Sequence, residues 1–394
     1  MALPFTETAM GQASPHPMYA TPNHDEGARE DFVREMMIHV TRDLMPGKRT
    51  LYENVVKPRF VKQHGRVPQD RHEIRRAMEQ EWFNQAWGSL RRLTQEMMYD
   101  SIGPSVERQL PDLIARAKRV TAKNGRNHAG SLTLDPALAI PRYHTEVHIH
   151  CKPGGYHSEV CADDVLAGAE YDRSYNLFAM GASGPLNDDM GRSVGRFAQR
   201  RFPDLRPKRI LEMGCTVGHS TLPYCDLYPE ADVYAIDVAA PCLRYAHARA
   251  EGMGYAVHWS QQNAERTDFP DGHFDLIVSH ILFHETSNAA LRTIIGECHR
   301  LLSPGGVMVH FDAPQYEDMP DPYDHTLGDW STHYNNEPFW GTLHDQSLPT
   351  IMRQAGFAPS AAFNAMAPSV FIEENPGHRA GTRLRQYSVF GATK

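Results

Sequence analysis

The run Ile210-Leu211-Glu212-Met213-Gly214-Cys215-Thr216-Val217-Gly218-His219-Ser220 constrains this chain more than any other stretch. Lys208 to Glu212 reads as a short buried strand, a glycine-bearing turn follows, and Ser220-Thr221-Leu222 opens a helix. A strand running through a glycine turn into a helix brings bare backbone N–H groups and a helix N-terminus to one point. That geometry receives a nucleotide-like ligand. Glu212 ends the strand with a carboxylate, which repels a pyrophosphate but suits a ribose hydroxyl pair or a cationic amino-acid tail. A second strand, Asp232 to Asp237, also ends in an acid, 25 residues after Glu212. An acid there suits bidentate bonding to ribose 2′- and 3′-hydroxyls. A dinucleotide site would show G-x-G-x-x-G, whereas this turn has only Gly214 and Gly218, with Thr216 between them.

Three further segments follow in order: Gln262-Asn263-Ala264-Glu265, then Gly272 to Ser279, then Arg300 to Val309 with its Ser303-Pro304-Gly305-Gly306 turn. The ordered set resembles the class I S-adenosylmethionine-dependent methyltransferases, nearest in character to those that methylate small molecules at oxygen or carbon. The resemblance runs from Asp204 to Phe311. It implies a Rossmann-like seven-stranded sheet and S-adenosyl-L-methionine as cofactor. The cofactor residues it implies are Glu212, Gly214, Cys215, Gly218, Asp237, Val238, Asn263, Ala264 and Ser279, with Tyr175 closing over the methionine end. Two positions depart from the family pattern. Thr216 stands where a second glycine is common, and Asn263 where Asp is common. The Asn263 side-chain oxygen can still accept from an adenine amino group.

The bulk numbers bound the alternatives. A chain of 394 residues has room for two domains. A net charge of −8 argues against a general nucleic-acid binder, because phosphate binding draws on clustered Lys and Arg. No apolar run approaches the roughly 18–20 residues of a membrane span. The opening Met1 to Glu7 lacks the basic start and apolar stretch of a signal peptide. Six cysteines lie scattered without a framework and read as reduced thiols. Together these point to a cytoplasmic enzyme.

The expected architecture is α/β: a methyltransferase sheet with an N-terminal all-helical domain and a short β-hairpin linker. Residues 1–25, rich in Pro, Thr, Ala and His, read as a flexible arm. Residues 26–130 read as a helical domain that covers the active site or dimerises. Ile74, Met78, Trp82, Ala86 and Leu90 mark one apolar face there, and Val106, Leu110, Leu113, Ala117 and Val120 another. Residues 131–165 read as the hairpin linker, because Tyr143 to Cys151 alternates as a strand does and Lys152-Pro153-Gly154-Gly155-Tyr156 signals a turn. Residues 166–394 then form the catalytic domain. Its strands are expected near 208–212, 232–237, 256–260, 274–279 and 306–311. An antiparallel pair near 361–363 and 387–391 completes the sheet.

Ligands in open α/β sheets bind beyond the carboxyl ends of the strands. There stand Ser279, His280, His284, Glu285, His310 and Asp312 beside the cofactor residues. His284 is the candidate general base, with Glu285 as its orienting acid and His280 beside them. The segment Ile281 to Glu285 resembles the Leu-His-Asp segment of small-molecule O-methyltransferases, in which the histidine removes the acceptor's proton. A metal remains open as an alternative, since His280, His284 and His333, with Glu285 and His325 near, suit a two-histidine, one-carboxylate iron site. Some C-methyltransferases of 2-oxo acids bind their substrate through such a site, so a metal-dependent C-methyltransferase is the alternative. A separate zinc site from His148, His150, His157 and Cys161 is weaker, because 22 histidines make chance clusters common. Trp330, His333, Tyr334 and Trp340 are expected to form the acceptor pocket. The partner is a small-molecule acceptor, with protein or RNA methylation as the runner-up, a non-catalytic cofactor-binding subunit as a third reading, and a homodimer through the helical domain as a further expectation.

Overall fold

The structure, a computed structural model of the chain, describes residues 16–122, 130–378 and 386–394. Eight strands build one sheet: β1 Ser131–Thr133, β2 Arg209–Met213, β3 Asp232–Asp237, β4 His258–Gln261, β5 Phe274–His280, β6 Leu302–Phe311, β7 Ala362–Pro368 and β8 Gln386–Thr393. Their order across the sheet is β1-β4-β3-β2-β5-β6-β8-β7. The first six pair in parallel, and β8 and β7 add an antiparallel end. The seven expected strands are present, and β1 extends the far edge by one.

Period-two alternation explains why the strands are apolar throughout. Ile210, Val233, Leu276, Val278, Val307 and Val309 face one layer, against Met190, Val194, Phe197, Leu243 and Ala246. Leu211, Met213, Ile236, Ile277 and Met308 face the other, against Leu291, Ile294, Ile295 and Leu301. Both faces are covered, as short strand–helix alternation with crossovers requires. At the antiparallel end Gly391 lies so close to β6 that a Cβ there would sit 2.0 Å from the Met308 carbonyl oxygen and 2.7 Å from the Phe363 ring. Gly391→Ala is therefore expected to cost at least the roughly 1–3 kcal/mol of ordinary overpacking, because the obstacle is backbone that cannot swing aside. Thermal unfolding of the variant measures this, and a melting temperature equal to the parent's would show that β8 can shift freely.

The N-terminal region is helical through Thr121, with residues 123–129 outside the described set. Asn23 and Glu26 cap its first helix reciprocally, and Asp70 caps Arg71–Met78. The apolar stripe from Ile74 does not run on as expected. The helix stops at Met78 and a new one, Trp82–Glu107, starts with Trp82 at 75% exposure. Trp82 opens a helix of different direction and so leaves the face that Ile74 and Met78 bury.

Two further expectations are corrected. Residues 131–165 form no hairpin. Only Ser131–Thr133 is a strand, pairing with β4, and the alternating stretch coils into short helical turns at Arg142–Thr145 and Ile149–Cys151. His150 and Cys151 both take left-handed backbone, at φ 55° and 60°, which a strand does not allow. The proposed arm also differs. Residues 1–15 lie outside the described set, but His16 to Ala20 pack onto the body, with Met18 and Ala20 fully buried. The anchor is the buried Asp172 carboxylate, which meets His16 Nε2 at 2.7 Å, His219 Nε2 at 2.6 Å and the Tyr245 hydroxyl at 2.6 Å.

Candidate active site

The turn after β2 is built as the sequence suggests. Gly214 and Gly218 take φ of 71° and 77°, and Thr216 joins them at 48°, an uncommon conformation for a β-branched residue. The left-handed bends wrap the chain around the end of β3. Asp237 Oδ2 accepts the Thr216 N–H at 2.9 Å and Oδ1 accepts the Ala239 N–H at 2.9 Å. Each carboxylate oxygen keeps a second lone pair for a ligand. Burial raises the Asp237 pKa above the usual carboxylate range. Gly214, Thr216 and Asp237 line one end of a cavity of about 260 Å³. A small side pocket leads from it, walled by Ile236, Val238, Asn263, Ala264, Leu282 and Ile294. A slot with the Gln262 and Asn263 amides on its wall, a carboxylate and a backbone cradle suit the adenine, ribose and amino-acid tail of an adenosyl sulfonium, in that order.

The far end of the cavity is polar and closely paired. β5 ends at His280, and Ile281 turns the chain sharply at φ 54°, a strained setting for a β-branched residue. A short 3₁₀ turn, Phe283–Glu285, follows. Asp312, just past β6, holds it: Oδ2 accepts the Phe283 N–H at 2.7 Å, and Oδ1 lies 2.6 Å from His284 Nδ1. His284 Nε2 is thereby turned toward Glu285, 3.5 Å from Oε1. The same Oε1 lies 2.8 Å from His150 Nε2, and the other nitrogen of His150 sits 3.0 Å from Glu337 Oε1. Burial works against a proton on either ring, but the flanking carboxylates prevail. Glu337 and Glu285 lift His150 to about 10, and Asp312 and Glu285 lift His284 well above its ordinary value. Burial would raise Glu285, yet the two histidines hold it well below the usual carboxylate range. Aromatic rings complete the wall: Tyr99, Tyr156, Tyr171, Tyr175, Phe178 and Trp340.

The candidate residues divide clearly. Gly214, Asp237, Tyr175, His280, His284, Glu285 and Trp340 line the main cavity, and Val238, Asn263 and Ala264 the side pocket. Glu212, Cys215, Gly218 and Ser279 are not on either wall. Glu212 is 2% exposed and is occupied by His280 Nδ1 at 2.7 Å and by the Thr221 hydroxyl. Gly218 packs on Trp259, and Ser279 bonds His310 at 2.8 Å. The orienting acid of His284 is Asp312, while Glu285 faces its other nitrogen.

Three acceptor candidates lie elsewhere. Trp330 stacks edge-on against Trp87 at 5.3 Å, Tyr334 reaches Glu79, and His333 Nδ1 lies 2.7 Å from the Asp329 carbonyl oxygen. Helix Thr326–Tyr334 turns these side chains toward the helical layer, so only Trp340 reaches the cavity. The metal set His280, His284 and His333 is likewise not brought together. Nor do His148, His157 and Cys161 join His150. Among the described residues, the group with metal-ligand spacing is His150, His284 and Glu285. Sequence reasoning missed His150 in this place and missed Glu337 and Tyr99 altogether. A histidine that is the first of two left-handed residues in an irregular loop has no periodic signal.

Residues 210–306 match a family model described as "Methyltransferase domain". The demethylmenaquinone methyltransferase of Thermus thermophilus is 35% identical over 120 residues, 29% of this chain and 54% of that protein. A ubiquinone/menaquinone biosynthesis C-methyltransferase of a Shewanella species is 30% identical over 150 residues, 35% of this chain and 58% of that protein. The malonyl-[acyl-carrier protein] O-methyltransferase of Methylococcus capsulatus is 32% identical over 138 residues, 34% of this chain and 47% of that protein. The chain thus spans about half the length of the curated relatives it matches.

Proposed function

We propose that this chain, which carries a class I S-adenosylmethionine-dependent methyltransferase domain, transfers the cofactor's methyl group to a small-molecule acceptor enclosed beside His284. One observation carries the reading: a single cavity joins the backbone cradle at Gly214 and Asp237 to the polar group at His150, His284 and Glu285. When bound, the cofactor supplies a methyl on a positively charged sulfur, open to in-line displacement. Everything else falls to the chain's own residues. Asp237 takes the ribose hydroxyls, Asn263 the adenine edge, and the aromatic wall excludes water and positions the acceptor. A cavity of about 260 Å³ suits a small acceptor better than a folded protein or an RNA surface.

Two ways of activating the acceptor fit His284. As a general base it would take the acceptor's proton through Nε2, with Asp312 fixing the tautomer. That role needs a neutral ring, and the carboxylates around His284 hold a proton on it. The second way is an ion held by His150, His284 and Glu285, whose donor atoms lie within 4.8 Å of one another.

The cofactor part is tested at Asp237. Removing a bidentate charged acceptor costs roughly 1.5–3 kcal/mol, or about tenfold or more in affinity. Calorimetry on Asp237→Ala with S-adenosylhomocysteine should show that loss, and unchanged affinity would take Asp237 out of the site. Transfer itself is tested by incubating the protein with methyl-labelled cofactor and a metabolite extract. Label should appear in the low-molecular-weight fraction, and label confined to protein or RNA would overturn the small-molecule acceptor.

A further inference from the structure

We propose that His150, His284 and Glu285 bind a divalent transition-metal ion on the cavity wall, and that this ion takes an acceptor presenting two adjacent oxygen donors. The second half rests on the methyl-transfer reading above; the first half stands on geometry alone.

The three donor atoms converge. One ring nitrogen of His150, one of His284 and a Glu285 oxygen all lie within 4.8 Å of one another. Ligands about 2.1 Å from a common ion sit roughly 3.0–3.4 Å apart, depending on whether the geometry is octahedral or tetrahedral. The two histidine-to-Glu285 separations, 2.8 and 3.5 Å, bracket that range. Each ring also has its remaining nitrogen against a carboxylate: Glu337 for His150 and Asp312 for His284. Carboxylate–histidine pairs of this kind fix the tautomer and aim the free lone pair at an ion. Both supports come from distant segments, and both rings are nearly buried, at 14% and 3% side-chain exposure.

Charge supports the same conclusion. Arg91 is buried close enough to Glu337 to feel its charge and offsets it. That leaves Glu285 and Asp312 as two carboxylates to be balanced by two imidazoles. Two ring protons can do this, and so can one divalent ion with both rings neutral. The ion also uses what protons leave idle, since Glu285 Oε2 is buried with no hydrogen-bond partner among the described residues. The cost of the arrangement is visible in the backbone. His150 and Cys151 are consecutive non-glycine residues in left-handed conformation, a strain that the surrounding packing holds in place at this point.

The acceptor class follows from what else lines the cavity. Two histidines and one carboxylate on one side of an ion leave neighbouring coordination positions open. Among the described residues the lining contains neither Arg nor Lys, so the positive charge open to an acceptor's acidic oxygens is that of the histidine rings or of an ion they hold. Tyr99, Tyr156, Tyr171, Phe178 and Trp340 suit a flat ring beside it. A catechol-like acceptor satisfies both requirements.

The test uses the full-length protein, stripped with a chelator and titrated anaerobically with Co²⁺. S-adenosylhomocysteine affinity is measured in parallel. One Co²⁺ per chain, with visible ligand-field bands, is expected. His150→Ala and Glu285→Gln should abolish the bands and leave S-adenosylhomocysteine binding unchanged. Should His150→Ala fail to fold, Glu337→Gln keeps every ligand and should weaken Co²⁺ by about 10–100-fold. Catechol should shift the Co²⁺ spectrum, whereas resorcinol, whose oxygens cannot chelate, should not. A protein that binds S-adenosylhomocysteine but no Co²⁺ would sink the metal site and leave methyl transfer standing. A protein that binds Co²⁺ but responds equally to both phenols would sink the acceptor class. Loss of S-adenosylhomocysteine binding by the parent protein would instead sink the methyl-transfer reading.

Discussion

A chain shortened to begin at Leu166 should lose cofactor binding along with the acceptor cavity. The boundary at 166 separates a helical region from a catalytic one in the sequence, but no such seam exists in the packing. Leu166, Ala169, Leu177, Val217, Cys242, Tyr245 and Ala248 share one core with Met18, Val33, Met37, Met98, Ile102, Val106, Leu110, Leu113 and Val165. Removing residues 1–165 bares the first set at once. Each large side chain there carries roughly 1.5–3 kcal/mol of burial, against a whole-domain stability of about 5–15 kcal/mol. Strand β1 would go too, leaving β4 as an open edge. Asp172 would lose His16, and the cavity its Met98, Tyr99, His144, His150 and Tyr156 walls. Soluble yield and S-adenosylhomocysteine calorimetry on the shortened chain measure this. A soluble product with parental affinity would show that the catalytic layer folds alone, and that residues 1–165 form a detachable cover.

His284→Ala should abolish nearly all turnover with little change in affinity for S-adenosylhomocysteine. The ring touches Asp312, Glu285 and Trp340 but none of the side-pocket residues that would hold adenine. A positioned base supplies roughly 10²–10⁴-fold in rate, which sets the minimum loss for a ring acting on the acceptor. Asp312→Asn should also reduce turnover, since it removes the charge and leaves one acceptor oxygen where His284 Nδ1 and the Phe283 N–H now use two. Single-turnover methyl transfer on both variants, once an acceptor is in hand, checks the ranking. A His284→Ala enzyme within tenfold of the parent would remove His284 from the chemistry, whichever way it was thought to act.

The sheet was legible in the sequence because its signals are local. Ile210-Leu211 and Ile277-Val278 are apolar on both faces, so they read as strands covered on two sides. Gly214 and Gly218 mark a turn that needs positive φ, and Asp237 ends its strand where a ribose would lie. Each inference depends on residues within a turn or two of one another. Position alone did not show that Glu212, at the expected strand end, also meets His280 and Thr221.

The acceptor end was decided by tertiary structure. His150, His284 and Glu337 come from three segments separated by more than fifty residues at each step, and no periodicity links them. Their meeting depends on how the loop after Pro141 is drawn across the sheet by the helical layer. Trp330, His333 and Tyr334 share an equally suggestive run with Trp340, yet one helix turns the first three toward Trp87, Asp329 and Glu79. Composition placed the right residue types in the chain. Burial, and the pairing of two imidazoles with the carboxylates that neutralise them, selected which ones form the site.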